Sequence, residues 1–262
     1  MKYRSLVEEL VRREEVSSEE QARKLVKNGR VKVDGFPVDN PDSEVGSGVH
    51  LEIIEENSSD WVGRGARKIW PFLKENKIVA KDKICLDVGA STGGFTQALL
   101  KAGARKVYSV DVGYGQLDWS LRQDDRVVVK DRYNFRYGRG EDFQPPPAVF
   151  TMDVSFISSL KLISALNGVM EKNSRGILLI KPQFEAPRSA VEDGIIKSPA
   201  TWRRTLRAVL EGWAEKGWGC FELAVSPLTG SEGNREFVAL LERGGQTQQG
   251  NTIESVVHKA AG

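Results

Sequence analysis

The sequence predicts an α/β protein with two parts, a small α+β domain followed by a Rossmann-like, doubly wound domain on a seven-stranded, mostly parallel sheet. The chain has 262 residues, which is long for one average domain and comfortable for two. From about residue 64 onward, short apolar runs alternate with helical stretches, a rhythm typical of βαβ units around a parallel sheet. One of those runs, 84–88, leads directly into a glycine-rich turn and a helix.

The composition excludes several other classes of protein. Six Trp, ten Phe and five Tyr in a chain that is 40% hydrophobic exclude a largely disordered protein. The two cysteines, Cys85 and Cys220, are too few for a disulfide scaffold and are expected to be buried thiols. No apolar run approaches the roughly 18–20 residues that cross a bilayer, and Glu8 interrupts any signal-peptide core. The sequence therefore predicts a soluble, cytoplasmic protein with no membrane partner.

Residues 1–56 are predicted to form a first domain of two helices and short strands. The apolar face of the first helix consists of Leu6, Val7, Leu10 and Val11. Ser17 and Ser18 offer N-caps for the second helix, which is expected to end at Asn28-Gly29. Strands are expected at 31–33 and 51–53.

The second predicted helix carries a cationic stripe. Arg23, Lys27 and Arg30 fall at i, i+4 and i+7, with Lys24 beside them. A stripe of this kind is typical both of a solvated helix face and of a surface that contacts phosphates. Residues 1–60 hold 9 Lys and Arg against 14 Asp and Glu, a net charge of −5, whereas residues 61–262 hold 29 against 22, a net +7. If nucleic acid is the partner, the larger part supplies most of the attraction.

The stripe lies within a string that resembles a known RNA-binding module. Residues 17–35, Ser-Ser-Glu-Glu-Gln-Ala-Arg-Lys-Leu-Val-Lys-Asn-Gly-Arg-Val-Lys-Val-Asp-Gly, are similar to the module named after small-subunit ribosomal protein S-four, and the resemblance extends over residues 3–55. In that module the helix-turn-strand surface lies against structured RNA. The resemblance therefore implies an RNA-binding role for Arg23, Lys24, Lys27 and Arg30.

A polar linker at 57–63 separates this domain from the second predicted domain, 64–243. The strand candidates of the second domain are Lys83–Val88, Lys106–Val110, Val127–Val129, Val149–Met152, Gly176–Ile180, Phe221–Val225 and Phe237–Leu241. Helices fit between them, for instance Gly94–Ala102 and Thr201–Lys216. The remaining residues, 244–262, are predicted to be a flexible tail with a short terminal helix.

The strand, turn and helix at 84–96 form a candidate cofactor site. Glycines in the turn let a ligand approach the backbone, and the N-terminus of the helix presents free N–H groups. Asp111 ends the next strand, where a carboxylate can accept hydrogen bonds from both ribose hydroxyls of an adenosine cofactor. Asp131 ends the third strand and suits the adenine amino group, although a plain turn residue is nearly as good an interpretation. The candidate cofactor-binding residues are Asp87, Gly89, Ser91, Gly93, Gly94, Phe95, Asp111 and Asp131.

Two cofactors compete for this loop, and a purely structural turn is a third interpretation. NAD requires Gly-x-Gly-x-x-Gly so that a pyrophosphate can lie on the helix, whereas this loop is Gly-x-x-x-Gly-Gly. Asp87 would also repel a pyrophosphate, but it suits the ammonium and sulfonium of S-adenosylmethionine. The loop therefore favours S-adenosylmethionine over NAD, and the paired Asp111 favours a cofactor site over a structural turn.

Four charged residues stand at the ends of predicted elements of the second domain, namely Lys68, Asp153, Lys181 and Glu236. Taken singly, each is more often a solvated strand end than a functional residue. Their order along the chain, Lys-Asp-Lys-Glu, resembles the catalytic tetrad of the FtsJ-like ribose 2'-O-methyltransferases.

A closer resemblance is to the TlyA, or haemolysin A, family. The strings that carry it are 64–68 (Arg-Gly-Ala-Arg-Lys), 87–96 (Asp-Val-Gly-Ala-Ser-Thr-Gly-Gly-Phe-Thr), 110–117 (Val-Asp-Val-Gly-Tyr-Gly-Gln-Leu), 153–158 (Asp-Val-Ser-Phe-Ile-Ser), 181–185 (Lys-Pro-Gln-Phe-Glu) and 233–237 (Gly-Asn-Arg-Glu-Phe). The resemblance implies S-adenosylmethionine as methyl donor, a cytidine of ribosomal RNA in ribosomal subunits as acceptor, and the four charged residues as the catalytic tetrad. Arg64 and Arg67 are further RNA-binding candidates. No metal is expected, and the oligomeric state stays open.

Methyl transfer to a ribose 2'-hydroxyl needs a set of charged side chains such as this tetrad, because the hydroxyl is a poor nucleophile. A neutral amine nearby must take its proton as the oxygen attacks the methyl carbon. A second ammonium and partial burial both favour the neutral form of a lysine. We therefore expect Lys181 to act as the base beside Lys68, with Asp153 and Glu236 orienting both.

Two other classes of function stay open on the sequence. The name haemolysin suggests a membrane-lytic protein, but there is no transmembrane run and no strong amphipathic basic helix. An RNA-binding protein without catalysis is the second alternative, and the intact glycine loop and complete tetrad argue against it.

Overall fold

A computed structural model of the protein describes residues 3–13, 15–16, 18–27, 31–38, 40–46, 48–53, 61–230, 232–247 and 251–261. The chain divides into two compact units, Met1–Asp60 and Trp61–Gly262.

The first unit packs two helices over short antiparallel strands. The helices are α1 (Leu6–Arg12) and α2 (Glu19–Lys27), and the strands are β1 (Tyr3–Ser5), β2 (Val31–Val33), β3 (Phe36–Val38), β4 (Glu44–Gly46) and β5 (Leu51–Ile53). The Ser18 hydroxyl accepts a hydrogen bond from the Gln21 N–H at 3.2 Å, as the predicted N-cap requires. Leu6, Leu10 and Val26 are fully buried in the core of the first unit. The expected C-cap at Asn28-Gly29 lies outside the described residues.

The second unit is built on a seven-stranded sheet with the order β11-β12-β10-β9-β6-β7-β8. Its strands are β6 (Ile84–Val88), β7 (Lys106–Val110), β8 (Val127–Lys130), β9 (Val149–Met152), β10 (Arg175–Ile180), β11 (Trp218–Val225) and β12 (Phe237–Arg243). The first five pair in parallel, and β12 and β11 are antiparallel to their neighbours. The predicted seven-stranded, mostly parallel sheet is confirmed.

Helices cover both faces of this sheet. They are α3 (Ala66–Lys74), α4 (Gly94–Lys101), α5 (Trp119–Arg122), α6 (Ile163–Val169), α7 (Pro182–Glu185), α8 (Pro199–Glu215) and α9 (Asn251–Ala261). Successive strand side chains enter different cores, so that Leu86 packs in one hydrophobic cluster while Cys85 packs in the other. Burial on both faces explains why the strands are continuous apolar runs rather than alternating ones.

The C-terminal segment, 244–262, contains the short terminal helix that the sequence predicts. Residues 251–261 form α9, which packs against α8 and β11. Val256, Val257 and Ala260 are buried on one side of this helix, and Glu254 forms an ion pair with Arg203 at 2.7 Å. Apolar burial against the unit, which the local composition did not indicate, holds this helix in place.

Both cysteines are free and buried, as expected. Burial raises the pKa of the Cys85 thiol and of the Cys220 thiol to about 12. Across the described part of the chain, no helix is long and apolar enough to cross a membrane.

Candidate active site

The four tetrad candidates meet at one edge of the sheet of the second unit. Asp153 follows β9 and Lys181 follows β10, so both lie at the carboxyl ends of parallel strands. Glu236 precedes β12, which runs antiparallel to β10, and the pairing of Ile180 with Phe237 brings Glu236 opposite Lys181. A crevice at the carboxyl edge of such a sheet is the usual place for a ligand.

Two lysine–carboxylate ion pairs form at this edge. Lys181 Nζ lies 2.6 Å from Asp153 Oδ1 and donates a hydrogen bond to Ser155 Oγ at 2.8 Å. Lys68 Nζ lies 2.6 Å from Glu236 Oε2, and both of these side chains are buried. The structure therefore pairs Lys181 with Asp153 and Lys68 with Glu236, whereas the sequence predicted only that the two carboxylates orient both lysines.

The approach of α3 to the glycine turn brings Lys68 to the site. Lys68 is in the first turn of α3, and α3 packs against α4. A Cβ atom at Gly94 would lie 2.8 Å from the Ala66 backbone nitrogen, so the glycine allows the two helix starts to touch. This glycine therefore acts through helix packing.

A cavity of about 390 Å³ opens beside the Lys181–Asp153 pair. Its lining includes Gly89, Ser91 and Asp111 on the cofactor-loop side, and Asp153 and Ser155 on the other. The Asp111 carboxylate accepts hydrogen bonds from the Ser91 N–H at 2.8 Å and the Gly113 N–H at 2.7 Å. Its remaining lone pairs can still accept from a ligand. The volume falls in the range of small-molecule sites, and the fixed carboxylate suits the ribose of an adenosine cofactor.

Asp87 does not line this cavity. Its carboxylate is fully buried and accepts hydrogen bonds from the hydroxyls of Thr96 at 2.7 Å and Thr151 at 3.0 Å. Burial raises the pKa of the Asp87 carboxyl to about 7, although the two threonine hydrogen bonds lower it. Asp87 thus ties β6 to α4 and β9 from beneath the loop, and the structure does not bring it to the ligand crevice.

Four more of the candidate cofactor residues lie behind the lining. A Cβ atom at Gly93 would overlap the Leu117 and Leu121 side chains, and Phe95 is buried. Asp131 Oδ2 accepts hydrogen bonds from Arg122 Nη2 at 2.6 Å and from the Gly115 N–H at 3.1 Å. Gly93, Gly94, Phe95 and Asp131 therefore shape the loops around the cavity, while Gly89, Ser91 and Asp111 face it.

The structure adds lining residues that the sequence argument did not name. Ser155 accepts from Lys181, and Phe156 is 90% exposed at the cavity with a positive φ of 65°. The Phe156 and Phe184 rings lie 4.9 Å apart. Both residues belong to the strings that carried the family resemblance, so an apolar ring three residues after a charged strand end, Phe156 after Asp153 and Phe184 after Lys181, was the available signal.

The predicted RNA-binding side chains are mostly exposed. In the first unit Arg23 pairs with Asp42 at 3.1 Å, and Lys27 is exposed. Arg30 and the side chain of Lys24 lie outside what the structure describes. In the second unit Arg64 and Arg67 are exposed, and Arg64 donates to the Thr229 carbonyl at 3.3 Å.

Comparison with known proteins identifies the second unit. Residues 61–243 match the FtsJ-like methyltransferase family. The chain belongs to this family. Residues 4–51 match the S4 domain. Membership of the FtsJ-like methyltransferase family confirms the predicted enzyme class and implies S-adenosylmethionine as the methyl donor, and the Asp111 side of the cavity is suited to it.

Relatives of this FtsJ-like methyltransferase share both units. The chain is 39% identical to the "Putative rRNA methyltransferase YqxC" of Bacillus subtilis (strain 168), over 93% of this chain and 87% of that protein. It is 38% identical to the "16S/23S rRNA (cytidine-2'-O)-methyltransferase TlyA" of Mycobacterium tuberculosis (strain ATCC 25618 / H37Rv), over 96% and 95%. A solved structure, "Putative hemolysin from Streptococcus thermophilus", superposes with a TM-score of 0.75 at 35% identity, covering 99% of this chain and 96% of that one. The predicted resemblance to the TlyA family is confirmed.

Proposed function

We propose that the protein transfers the methyl group of S-adenosylmethionine to a ribose 2'-hydroxyl of a cytidine in ribosomal RNA. The observation that carries the proposal is the Lys181–Asp153 ion pair, 2.6 Å between Nζ and Oδ1, at the wall of the cavity. A lysine fixed at that place can take the proton of an acceptor hydroxyl bound in the cavity. The printed name of the Mycobacterium tuberculosis relative supports the cytidine 2'-oxygen as the target.

Lys181 Nζ handles the proton of the acceptor hydroxyl. Asp153 and Ser155, which both line the cavity, contact Nζ at 2.6 and 2.8 Å and so fix its position beside the cavity wall. Nζ must first release the proton that it holds in the ion pair with Asp153. Its lone pair then takes the 2'-hydroxyl proton while the oxygen forms its bond to the methyl carbon and the bond from that carbon to the donor sulfur breaks. S-adenosylmethionine supplies a methyl group on a sulfonium, which makes that carbon electrophilic.

The Lys68–Glu236 pair acts as a buried support for this centre. The two side chains are nearly excluded from solvent, and their charges balance at 2.6 Å. Glu236 lies opposite Lys181 across the β10–β12 pairing, so the Lys68–Glu236 pair supports the strand ends next to the base. Removing either partner leaves a buried charge without its counter-charge, which is strongly unfavourable.

The first unit selects the RNA, and the second unit performs the chemistry. The S4 match over 4–51 and the exposed Lys27 and Arg23 support this division. Arg64 and Arg67, exposed near the start of the second unit, are further cations that RNA phosphates would contact. Phosphate and shape contacts would dominate such docking, because paired RNA offers little base-specific readout. A ribosomal RNA substrate makes the cytoplasm the working compartment.

The test is to map the methylated product. Purified protein and methyl-labelled S-adenosylmethionine are incubated with ribosomal subunits from a strain that lacks the protein, and nucleosides are analysed by mass spectrometry. We expect 2'-O-methylcytidine, with none formed by Lys181→Ala. Label on a cytosine ring or on a ribosomal protein would contradict the proposal.

A further inference from the structure

An apolar and aromatic loop lies in solvent beside the cavity. Val112 is 71% exposed and Tyr114 is 69% exposed, both in the loop between β7 and α5. Val112 and Gln116, on either side of Tyr114, line the cavity itself. Large side chains left in solvent next to a ligand site indicate a surface that a partner covers.

A guanidinium lies on the exposed tyrosine ring. The Arg132 guanidinium carbon is 4.3 Å from the centroid of the Tyr114 ring. The backbone N–H of Arg132 donates to the Gly113 carbonyl at 2.8 Å. Arg132 is itself exposed. A cation over an aromatic face at this distance is a favourable contact that holds both side chains in one arrangement. We call these two residues the Tyr114–Arg132 platform.

The loop that carries the platform is held rigid. The Asp131 carboxylate accepts from the Gly115 N–H at 3.1 Å and from Arg122 at 2.6 Å, and so fastens the loop to α5. Gly115 has a positive φ of 69°, which glycine adopts without strain. A platform on a fixed loop loses little conformational freedom when it binds, which favours a binding role.

The segment that follows the platform is cationic. Lys130, Arg132 and Arg136 fall within seven residues, and Arg136 is exposed and makes no ion pair within the described part of the chain. The acids of the segment are occupied, since Asp131 is bound to Arg122 and Asp142 accepts from the Tyr133 hydroxyl at 2.6 Å. Glu141 is paired with Arg139 at 3.0 Å. The face beside the cavity therefore presents positive charge together with a flat ring.

We propose that the Tyr114–Arg132 platform binds the ribosomal RNA strand next to the target nucleotide, with an unpaired base stacked on Tyr114 and a phosphate contacted by Arg132. This inference rests on the proposed function and adds a second RNA contact, on the catalytic unit. Aromatic rings with neighbouring cations are the usual surface for single-stranded nucleic acid. Continuity with the cavity, through Val112 and Gln116, puts this contact within reach of the nucleotide that receives the methyl group.

Direct binding tests the platform independently of catalysis. The full chain and its variants are titrated with ribosomal subunits and with protein-free ribosomal RNA, and cofactor affinity is measured by calorimetry. Tyr114→Ala and Tyr114→Leu should weaken RNA binding roughly 5- to 150-fold, the range measured for loss of one base stack. Tyr114→Phe, which keeps the ring, should bind as the wild type does. All three should keep the cofactor affinity of the wild type.

The electrostatic half of the platform has its own readout. Arg132→Gln should reduce the slope of log affinity against log salt concentration by about 1, and Tyr114→Ala should leave the slope unchanged. Arg105→Gln is the matched control, because Arg105 is exposed in the loop before β7, at the opposite edge of the sheet.

The outcomes separate this inference from the proposed function. Wild-type methylation of subunits with unchanged RNA binding by Tyr114→Ala would overturn the platform alone. Weaker subunit binding with unchanged binding of protein-free RNA would also overturn it, because a ribosomal protein would then be the partner. If the wild type bound RNA, the Tyr114→Ala variant bound it weakly and no methyl group was transferred, the platform would be supported and the proposed function refuted. No wild-type binding to ribosomal RNA would refute both.

Discussion

At the scale of single residues, the position of Lys181 depends on two side chains that line the cavity. Its Nζ lies in an ion pair with Asp153 and donates a hydrogen bond to Ser155 Oγ. Under the proposed function this nitrogen acts on the acceptor hydroxyl and not on the methyl donor.

Lys181→Ala should abolish methyl transfer and leave cofactor binding nearly unchanged. Loss of a general base costs roughly 10²–10⁴-fold in rate. Single-turnover methylation of ribosomal subunits measures the loss, and calorimetry measures the cofactor affinity. Lys172→Ala, at an exposed lysine before β10 on the opposite edge of the sheet, is the control. Full single-turnover activity in Lys181→Ala would show that another group takes the proton.

Asp87 should give the protein a pH-dependent stability. The pKa of its carboxyl is raised by burial to about 7 in the folded state, from an ordinary 3.8. Between about pH 4 and pH 7 the folded protein therefore keeps a proton that the unfolded chain has already lost. The free energy of unfolding falls as the pH rises through that window. The asparagine cannot ionise. The stability of Asp87→Asn minus that of the wild type should therefore be greater at pH 8 than at pH 5.

Urea denaturation at the two pH values measures this difference. Asp125→Asn, at an exposed acid, should show the same pH dependence as the wild type. An Asp87→Asn variant whose stability follows the wild type in parallel from pH 5 to pH 8 would mean that Asp87 is ionised throughout.

At the scale of elements, the glycine turn after β6 owes its shape to a close approach. Gly89 has a φ of 82°, and a Cβ atom there would overlap the carbonyl oxygen of Asp153. The ends of β6 and β9 therefore meet only because residue 89 lacks a side chain.

Gly89→Ala should weaken cofactor binding and lower kcat/KM roughly 10²-fold, since the loop carrying Asp153 must move by a fraction of an ångström or more. Gly217→Ala is the matched control, because Gly217 has a similar φ of 87° with open space around its Cβ position. That variant should lose stability only and bind the cofactor normally. Equal cofactor affinities in the two variants would count against the close approach as the reason for Gly89.

The sequence predicted the strands of the second unit well and some helices poorly. Strands buried on both faces leave continuous apolar runs, so β6, β7 and β9 could be found within a residue or two. The helix α3 was not predicted, and α9 was predicted only as a short helix in a flexible tail, without its packing. Both depend on long-range packing, α3 on the glycine turn and α9 on α8 and β11, which local composition does not carry.

The sequence predicted where the site lies, but not which of its side chains contact one another. A charged residue directly after an apolar strand lies at the carboxyl edge by geometry alone, so Asp153 and Lys181 could be placed together. Which lysine meets which carboxylate depends on side-chain direction, and the sequence did not settle it. Asp87 illustrates the same limit, because a strand residue one position from the turn points into the core and contacts threonines rather than ligand.

At the scale of the whole molecule, some cations of the first unit stabilise its fold and others are exposed to solvent. In the first unit Glu9 is buried and accepts from Arg12 at 2.6 Å and Arg13 at 2.8 Å. The Arg12 guanidinium lowers the pKa of the Glu9 carboxyl to about 2, despite its burial. Arg12 and Arg13 thus stabilise the fold of this unit, whereas Arg23 and Lys27 on α2 are exposed, Arg23 in an ion pair with Asp42. Under the proposed function these two cations contact RNA phosphates.

Changing two of the α2 cations, as Arg23→Gln with Lys27→Glu, should impair methylation of ribosomal subunits without affecting cofactor affinity. Each lost phosphate contact should also reduce the salt dependence of RNA binding by a slope of about 1. Filter binding over a salt series and methylation rates at saturating cofactor measure the two effects. Lys81→Glu, at an exposed lysine before β6, is the control for charge alone. Normal methylation by the double variant would make the stripe a solvated helix face.

The burial of both native thiols has a practical consequence for spectroscopy. With Cys85 and Cys220 enclosed and their pKa values near 12, maleimide dyes and spin labels find almost no thiolate to attack at neutral pH. A single cysteine introduced on an exposed position of either unit would thus take the label alone, in an otherwise unaltered chain. Energy transfer from such a site to a labelled ribosome could then follow the docking of each unit separately.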